Sequence, residues 1–411
     1  MTSDAYVWAW LPGAQEPVPA GLARERDGVI SFAYGNGYLR RPDAISLDGL
    51  ELPLVAGFQE PPGGLRVAGC LADAGPDSWG RRAILNRLVG GTAEFDAVSP
   101  LTYLAEAGSD RIGALDFQPS PTEYVARGGH GATIEDLVAF VERVEAGRPV
   151  PPELEDALRA GSSVGGARPK ALLRDGPRSL IAKFSAPADT WPLVRGEFLA
   201  MRMAAACGLD VARVDLTHAA GRDVLLVERF DRVAGTSRRR LVLSALTILG
   251  LSEMWPAAAS YGDLAEIMRH RFSTPRRSRR ELFARMVFNV LCGNTDDHAR
   301  NHAAFWDGRE LALTPAYDIC PYLRSGGEAT QAMALGGGED RCRLSNVGAC
   351  VDRAHWFGLE REQALAIAYG QLDVIRDSWE ERCDEARLTR VERELVRRVF
   401  PHEYALFDLH D

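Results

Sequence analysis

The sequence predicts an α+β chain, β-rich in its first half and largely helical in its second, folded as two lobes around a cleft. Three observations predict it. Over the first hundred residues, Gly and Pro punctuate short apolar runs of strand length. From residue 162 to about 230, strand-like runs flank one helical stretch. Beyond 240 the apolar period is mostly that of helices. At 411 residues the chain has room for two or three packed units, at the usual ~100–200 residues each.

In chain order, strands are expected at 6–11, 29–34 and 52–58, with turns at Arg26-Asp-Gly28 and Tyr34-Gly-Asn-Gly37. Asp77-Ser-Trp-Gly-Arg-Arg-Ala-Ile-Leu85 reads as the start of an amphipathic helix. A Gly- and polar-rich stretch at 120–131 marks a boundary, and a helical period follows over 132–141. Strand signals at 171–173 and 180–184 lead to a helix over 194–207, which Gly208 ends at its C′ position. Strands at 211–217 and 224–228 precede helices at 241–251, 261–272, 279–291 and 360–399. The division that results is 1–128, a β-rich subdomain; 129–232, a strand-containing lobe; and 233–411, a helical lobe.

Composition narrows the function classes. The 46% apolar and 26% charged residues are those of an ordinary globular protein. A net charge of −9 argues against wholesale coating of nucleic acid, and the basic runs at 237–240 and 276–280 read as solvated faces. The seven cysteines are scattered with no CxxC pair, which fits neither a zinc site nor a disulfide framework and points to a reducing cytosol. The first residues lack the pattern of a signal peptide, and no apolar run approaches the ~18 residues that span a bilayer. A cytoplasmic protein without a membrane partner is expected.

Arginine has displaced lysine almost everywhere. Of 48 basic residues only Lys170 and Lys183 are lysine, which marks positions where a compact ammonium is needed and a planar guanidinium will not serve. Lys183 sits in the strand-like run Ser179-Leu-Ile-Ala-Lys-Phe184, and Lys170 closes the Gly-containing stretch Gly161-Ser-Ser-Val-Gly-Gly-Ala-Arg-Pro-Lys170. A Gly-rich loop followed by a strand lysine is a recurrent cradle for nucleotide phosphates. The most specific local signal is Cys292-Gly-Asn-Thr-Asp-Asp-His-Ala-Arg-Asn301. Asp296 and Asn301 have the Asp-x4-Asn spacing of the catalytic loop H-R-D-x-x-x-x-N. An aspartate there takes the proton of an acceptor hydroxyl, and an amide oxygen five residues on is a hard, neutral ligand for Mg²⁺. Asp297 and His298 are alternatives for part of the Asp296 role. Asp318, isolated between apolar residues in Leu313-Thr-Pro-Ala-Tyr-Asp-Ile319, suits the second metal ligand. Glu197 is the best acidic partner for Lys183, and Val224-Leu-Leu-Val-Glu-Arg-Phe-Asp231 reads as a buried strand turning polar, a hinge whose Glu228 and Phe230 backbone could hold adenine.

Together these segments resemble the HipA family of serine/threonine kinases, toxins of bacterial type II toxin–antitoxin pairs. The resemblance rests on Asp77-Ser-Trp-Gly80, Ser163-Val-Gly-Gly-Ala-Arg-Pro-Lys170, Val227-Glu-Arg-Phe-Asp-Arg232, Gly293-Asn-Thr-Asp-Asp-His-Ala-Arg-Asn301 and Pro315-Ala-Tyr-Asp-Ile319. It implies a bilobal protein-kinase-like fold with an extra N-terminal β-rich subdomain, and ATP and Mg²⁺ as cofactors. It further implies Asp296 as catalytic base, Asn301 and Asp318 as metal ligands, and Lys183, Gly165, Gly166, Glu228 and Phe230 around the nucleotide, with Glu197 and His298 in support. Ser163, with Ser162 as the alternative, is the implied autophosphorylation site; a phosphoserine there adds negative charge beside the ATP phosphates and would expel the loop. The implied partners are a helix-turn-helix antitoxin of HipB type, through which DNA is contacted only indirectly, and a cytosolic protein substrate, in some relatives an aminoacyl-tRNA synthetase. The loop reads Ala-Arg-Pro-Lys where better-known members carry Ala-Gln-Glu-Lys, and 241–249 is more apolar than its counterpart in the founding member. Two alternatives stay open on the residues alone: a small-molecule phosphotransferase of aminoglycoside or choline kinase type, and a non-catalytic corepressor subunit of an antitoxin–DNA complex.

Overall fold

The computed structural model describes the whole chain except residues 1–2, 90–93, 129–132, 147, 149, 152–153, 155–156, 158–168, 187–188, 190, 254, 325, 408 and 410–411. The chain forms two compact units. The first comprises Met1–Ala186, Thr217–Leu243 and Phe305–Arg309, the second Pro187–Leu216, Ser244–Ala304 and Glu310–Asp411.

In the first unit, strands β1 (Asp4–Ala9), β2 (Val18–Arg26), β3 (Val29–Tyr34), β4 (Phe58–Gln59) and β5 (Leu115–Gln118) make an antiparallel sheet in the order β4-β3-β2-β1-β5. The β2–β3 turn is Asp27-Gly28, both with positive φ, 51° and 76°. Such a two-residue turn matches the natural twist of the strands it joins, and Asp-Gly tolerates the left-handed backbone. Strand β2 went unread in the sequence because Pro19 and Gly21 interrupt its apolar run. The sheet absorbs them in a register shift between Val7 and Trp8, with Pro19 opposite Trp8. Of the expected strand at 52–58 only Phe58–Gln59 pairs.

A second sheet follows, β6 (Lys170–Asp175), β7 (Arg178–Phe184), β8 (Val214–Ala219) and β9 (Arg222–Glu228), in the order β6-β7-β9-β8. Helix Ile134–Glu145 opens with a capping box between Thr133 and Asp136, and its Leu137, Val138, Phe140, Val141 and Val144 are buried. Those side chains share one core with Trp79, Ala83, Ala171, Ala182, Phe184 and Val224. Each large side chain so buried stabilises the unit by about 2 kcal/mol. The core therefore ties helix Ser78–Val89 to the strands that carry both lysines.

The second unit is helical, as expected from its period. Its central helix, Pro275–Cys292, starts with Pro at its first turn and is buried along most of its second half, including Phe283, Met286, Val287, Phe288 and Leu291. Gly293 ends it in the left-handed conformation, φ 74°, where a Cβ would come within 2.7 Å of the Val399 carbonyl oxygen. Helix Leu193–Ala206 packs against Arg361–Glu385, and Gly208 has φ 81° as its position after the helix requires. The helix expected at 241–251 is instead strand β10 (Leu241–Ser244) followed by one turn, Ala245–Ile248, capped by Ser244. A short, fully apolar run carries no period that separates strand from helix. β10, β11 (Ala303–Trp306) and β12 (Leu311–Leu313) form a small three-stranded sheet.

Candidate active site

The loop after the central helix is built on one buried carboxylate. Asp297 is 2% exposed, and its Oδ2 accepts hydrogen bonds from Asn289 Nδ2 at 2.9 Å and from the Tyr261 hydroxyl; His302 Nε2 lies 2.9 Å away. Asn294, also buried, donates from Nδ2 to Asn289 Oδ1 at 2.9 Å, so helix and loop share one polar network. Buried polar groups matched in this way rigidify a loop. Asp296, one residue earlier, is exposed. Asn301 is buried at the end of the same loop, and its Nδ2 donates to the Asp296 carbonyl oxygen at 3.4 Å, which leaves the amide oxygen for another partner. His298 is half-buried; its Nδ1 is buried and makes no hydrogen bond.

Asp318 belongs to a second pinned segment of this unit. The fully buried Arg285 donates from Nη2 to the carbonyl oxygens of Thr314, at 2.9 Å, and Asp210, at 3.1 Å, and pairs with Glu281 at 2.9 Å. Tyr317 donates from its hydroxyl to the Arg300 carbonyl at 2.6 Å, which joins this segment to the Asp296 loop. Asp318 itself has φ 60°, a left-handed conformation uncommon outside glycine and costing about 1 kcal/mol or more. Tyr322 follows, its backbone N–H donating to Gly293 O at 3.1 Å and its hydroxyl lying 3.4 Å from Asp296 Oδ2. Burial, then the neighbouring acidic groups of Cys320, Asp296, Asp318 and Glu197, push the Tyr322 phenol well above its usual range. Asp296, Asp318 and the buried Glu197 of helix Leu193–Ala206 therefore all act on one point.

No group of three or more His, Cys, Asp and Glu that could cage a metal occurs among the described residues. The hard oxygens of Asn301 and Asp318 are instead the kind of sparse set suited to Mg²⁺, which keeps water and phosphate oxygens as its other ligands.

In the first unit, Lys183 lies on β7 directly opposite Lys170 on β6 and Leu225 on β9. Glu228 ends β9 opposite Leu180, and the Phe230 ring meets Phe305 edge-on at 5.8 Å. The residues between and after them are not a bare hinge. Arg229 forms a two-pronged pair with Asp231 at 2.9 and 2.7 Å, and Arg229 and Arg232 both reach Asp110, at 3.1 and 2.8 Å. Asp231 Oδ2 accepts from Gly113 N–H at 2.7 Å, and both arginines donate to the Arg111 carbonyl. Burial alone would raise the Asp110 and Asp231 carboxyls, but the guanidinium groups overcome it and hold both well below the usual carboxylate range. Sequence reading missed this clamp, since Asp110 stands far from the motif it serves. Gly165, Gly166, Ser162 and Ser163 lie outside the described residues.

Comparison with known proteins decides the family. The profile of the HipA-like C-terminal domain matches residues 162–386, and that of the HipA N-terminal domain matches 15–118. The chain belongs to the HipA family. Y4mE of Sinorhizobium fredii, whose name marks it as a kinase candidate, is 28% identical over 402 residues, covering 89% of this chain and 92% of that one. The serine/threonine-protein kinase toxin HipA of Shewanella oneidensis is 32% identical over 145 residues, 31% of this chain and 34% of the relative. Among solved structures, a chain from the Shewanella oneidensis MR-1 complex of HipA, HipB and operator DNA superposes with a TM-score of 0.68 at 20% identity, covering 97% of this HipA-family chain and 96% of the other. The α+β, HipA-like fold expected from the sequence is thus borne out.

Proposed function

We propose that this chain is an ATP- and Mg²⁺-dependent protein serine/threonine kinase and the growth-arresting toxin of a toxin–antitoxin pair. Family membership and the names of its relatives support the kinase class. The observation that carries the mechanism is the division of labour between two neighbouring carboxylates. Asp297 is consumed in holding the loop, and Asp296 is presented to solvent with Asn301 behind it. On this reading Asp296 accepts and orients the proton of the acceptor hydroxyl. Asn301 and Asp318 would hold Mg²⁺, which when bound would supply charge neutralisation for the phosphate. Lys183, Gly165 and Gly166 would contact the nucleotide phosphates, with Glu197 and His298 in support, and Glu228 and Phe230 would hold adenine. Segments 1–128, 129–232 and 233–411 are then the N-terminal subdomain and the two kinase lobes.

Regulation is proposed at two levels. Autophosphorylation of Ser163 or Ser162 would put nearly two negative charges in the phosphate loop and stop turnover. A helix-turn-helix antitoxin of the HipB type, which accompanies HipA in the similar complex, would restrain the chain and bring it to DNA indirectly. The substrate is a cytosolic protein, with aminoacyl-tRNA synthetases the first class to test. Asp296→Asn should lower phosphoryl transfer from Mg²⁺-ATP by at least ~10²-fold, because such sites work by positioning and electrostatics. Transfer at the parental rate in that variant would refute the assignment.

A further inference from the structure

The Asp296 side chain is exposed, and it meets one neighbouring hydroxyl: that of Tyr322, 3.4 Å from Asp296 Oδ2. A phenol is protonated at neutral pH, so within this pair the hydroxyl donates and the carboxylate accepts. The contact is long for an O–H···O bond. Bonds of this kind in unliganded sites tighten when the reacting groups assemble.

The two partners share one frame. Gly293, which closes the central helix, offers its carbonyl oxygen to two backbone N–H groups, that of Thr295 at 3.1 Å and that of Tyr322 at 3.1 Å. One oxygen thus holds both the residue before Asp296 and the residue that bears the phenol. Thr295 in turn accepts from Ala332 N–H at 3.1 Å, and Asp297, on the other side of Asp296, is anchored by Asn289 Nδ2 at 2.9 Å. Ahead of Tyr322, Ile319, Cys320 and Pro321 are all buried. With the backbone held on both sides, the freedom left to the pair is rotation about the Asp296 side-chain bonds. An exposed carboxylate samples several rotamers, whereas a general base acts only with an oxygen turned to the proton it takes. The Tyr322 hydroxyl supplies that constraint: it engages Oδ2 and leaves Oδ1 for the acceptor.

We propose that Tyr322 is a positioning residue for Asp296: its hydroxyl holds the carboxylate in the orientation from which it takes the acceptor's proton. This rests on the Asp296 reading above and adds to it a residue beyond both the 293–301 and the 315–319 motifs. A tyrosine that only filled space here would be replaced without loss by phenylalanine. One that served the metal through Asp318 would change the Mg²⁺ requirement instead of the chemical step.

The test is Tyr322→Phe in the full chain, which removes the hydroxyl and keeps the ring. Because Asp296 is exposed, no buried acceptor is stranded, and the melting temperature should stay within about 2 °C of the parent's. Single-turnover formation of ADP from Mg²⁺-ATP, with the chain in excess, counts transfer to any acceptor, water included. Its maximal rate constant reads the chemical step, and its half-saturation reads binding. The maximal rate should fall about tenfold in Tyr322→Phe, with nucleotide half-saturation, calorimetric ATP affinity and half-saturating Mg²⁺ each within about twofold of the parent. A parental maximal rate overturns the proposal, and so does a loss that appears in ATP affinity or Mg²⁺ requirement. Either result leaves the kinase reading standing. A parental chain that forms no ADP, or Asp296→Asn at the parental rate, overturns that reading and the proposal with it.

Discussion

Asp296 and Asp297 are the same residue type, one position apart, with opposite surroundings. Asp297 is matched by Asn289, Tyr261 and His302 in a buried network, so truncating it strands three buried polar partners. Asp297→Ala should therefore lower stability by about 3 kcal/mol in urea unfolding, whereas Asp296→Asn should stay within about 0.5 kcal/mol of the parent. Equal losses from the two substitutions would contradict this division. The loop's residue types and the Asp-x4-Asn spacing were legible in the sequence, but the burial that separates the two aspartates was not. Spacing reports which groups are near each other along the chain and says nothing of which one faces water. Tyr322 was missed for the same reason: an aromatic residue beyond a motif has no local mark of its approach to Asp296.

At the scale of elements, periodicity served long helices and failed short apolar runs. Pro275–Cys292 was expected within a few residues and the stretch 360–399 proves to be two helices, Arg361–Glu385 and Arg390–Arg397, while Leu241–Ser244, with its four buried residues in a row, was read as helix. The segment after β9 shows what pattern cannot supply. Its Arg229 and Asp231 were read as part of a hinge, yet their partners at Asp110, Arg111 and Gly113 lie more than a hundred residues away in sequence. This clamp makes acid stability a readout. Asp110 has a folded value depressed below its ordinary 3.8, because Arg229, Arg232 and Arg239 outweigh its burial. Below about pH 4 the unfolded chain takes up that proton before the folded chain does, so stability present at neutral pH is lost as pH falls. The urea midpoint should drop between pH 5 and pH 3, and Asp110→Asn should flatten that drop while lowering the midpoint at pH 7. A variant with the parental acid slope would show that Asp110 does not carry the effect.

For the whole molecule, family and fold class were readable in the sequence, because the motifs at 293–301 and 315–319 are specific in combination. Among the described residues no helix is long and apolar enough to cross a bilayer. What the chain's linear order concealed is how the N-terminal segment pairs with the later strands, Asp110 with Arg229 and Asp77 with Lys170. Both are tertiary pairings of charges that, in sequence, look like solvated surface residues. The central claim is phosphoryl transfer governed by Asp296, and mass spectrometry with peptide mapping of the full chain after incubation with Mg²⁺-ATP tests it most directly. The account predicts phosphate on Ser163 or Ser162 in the parent and none in Asp296→Asn; an unmodified parent, or equal modification of both chains, would contradict it.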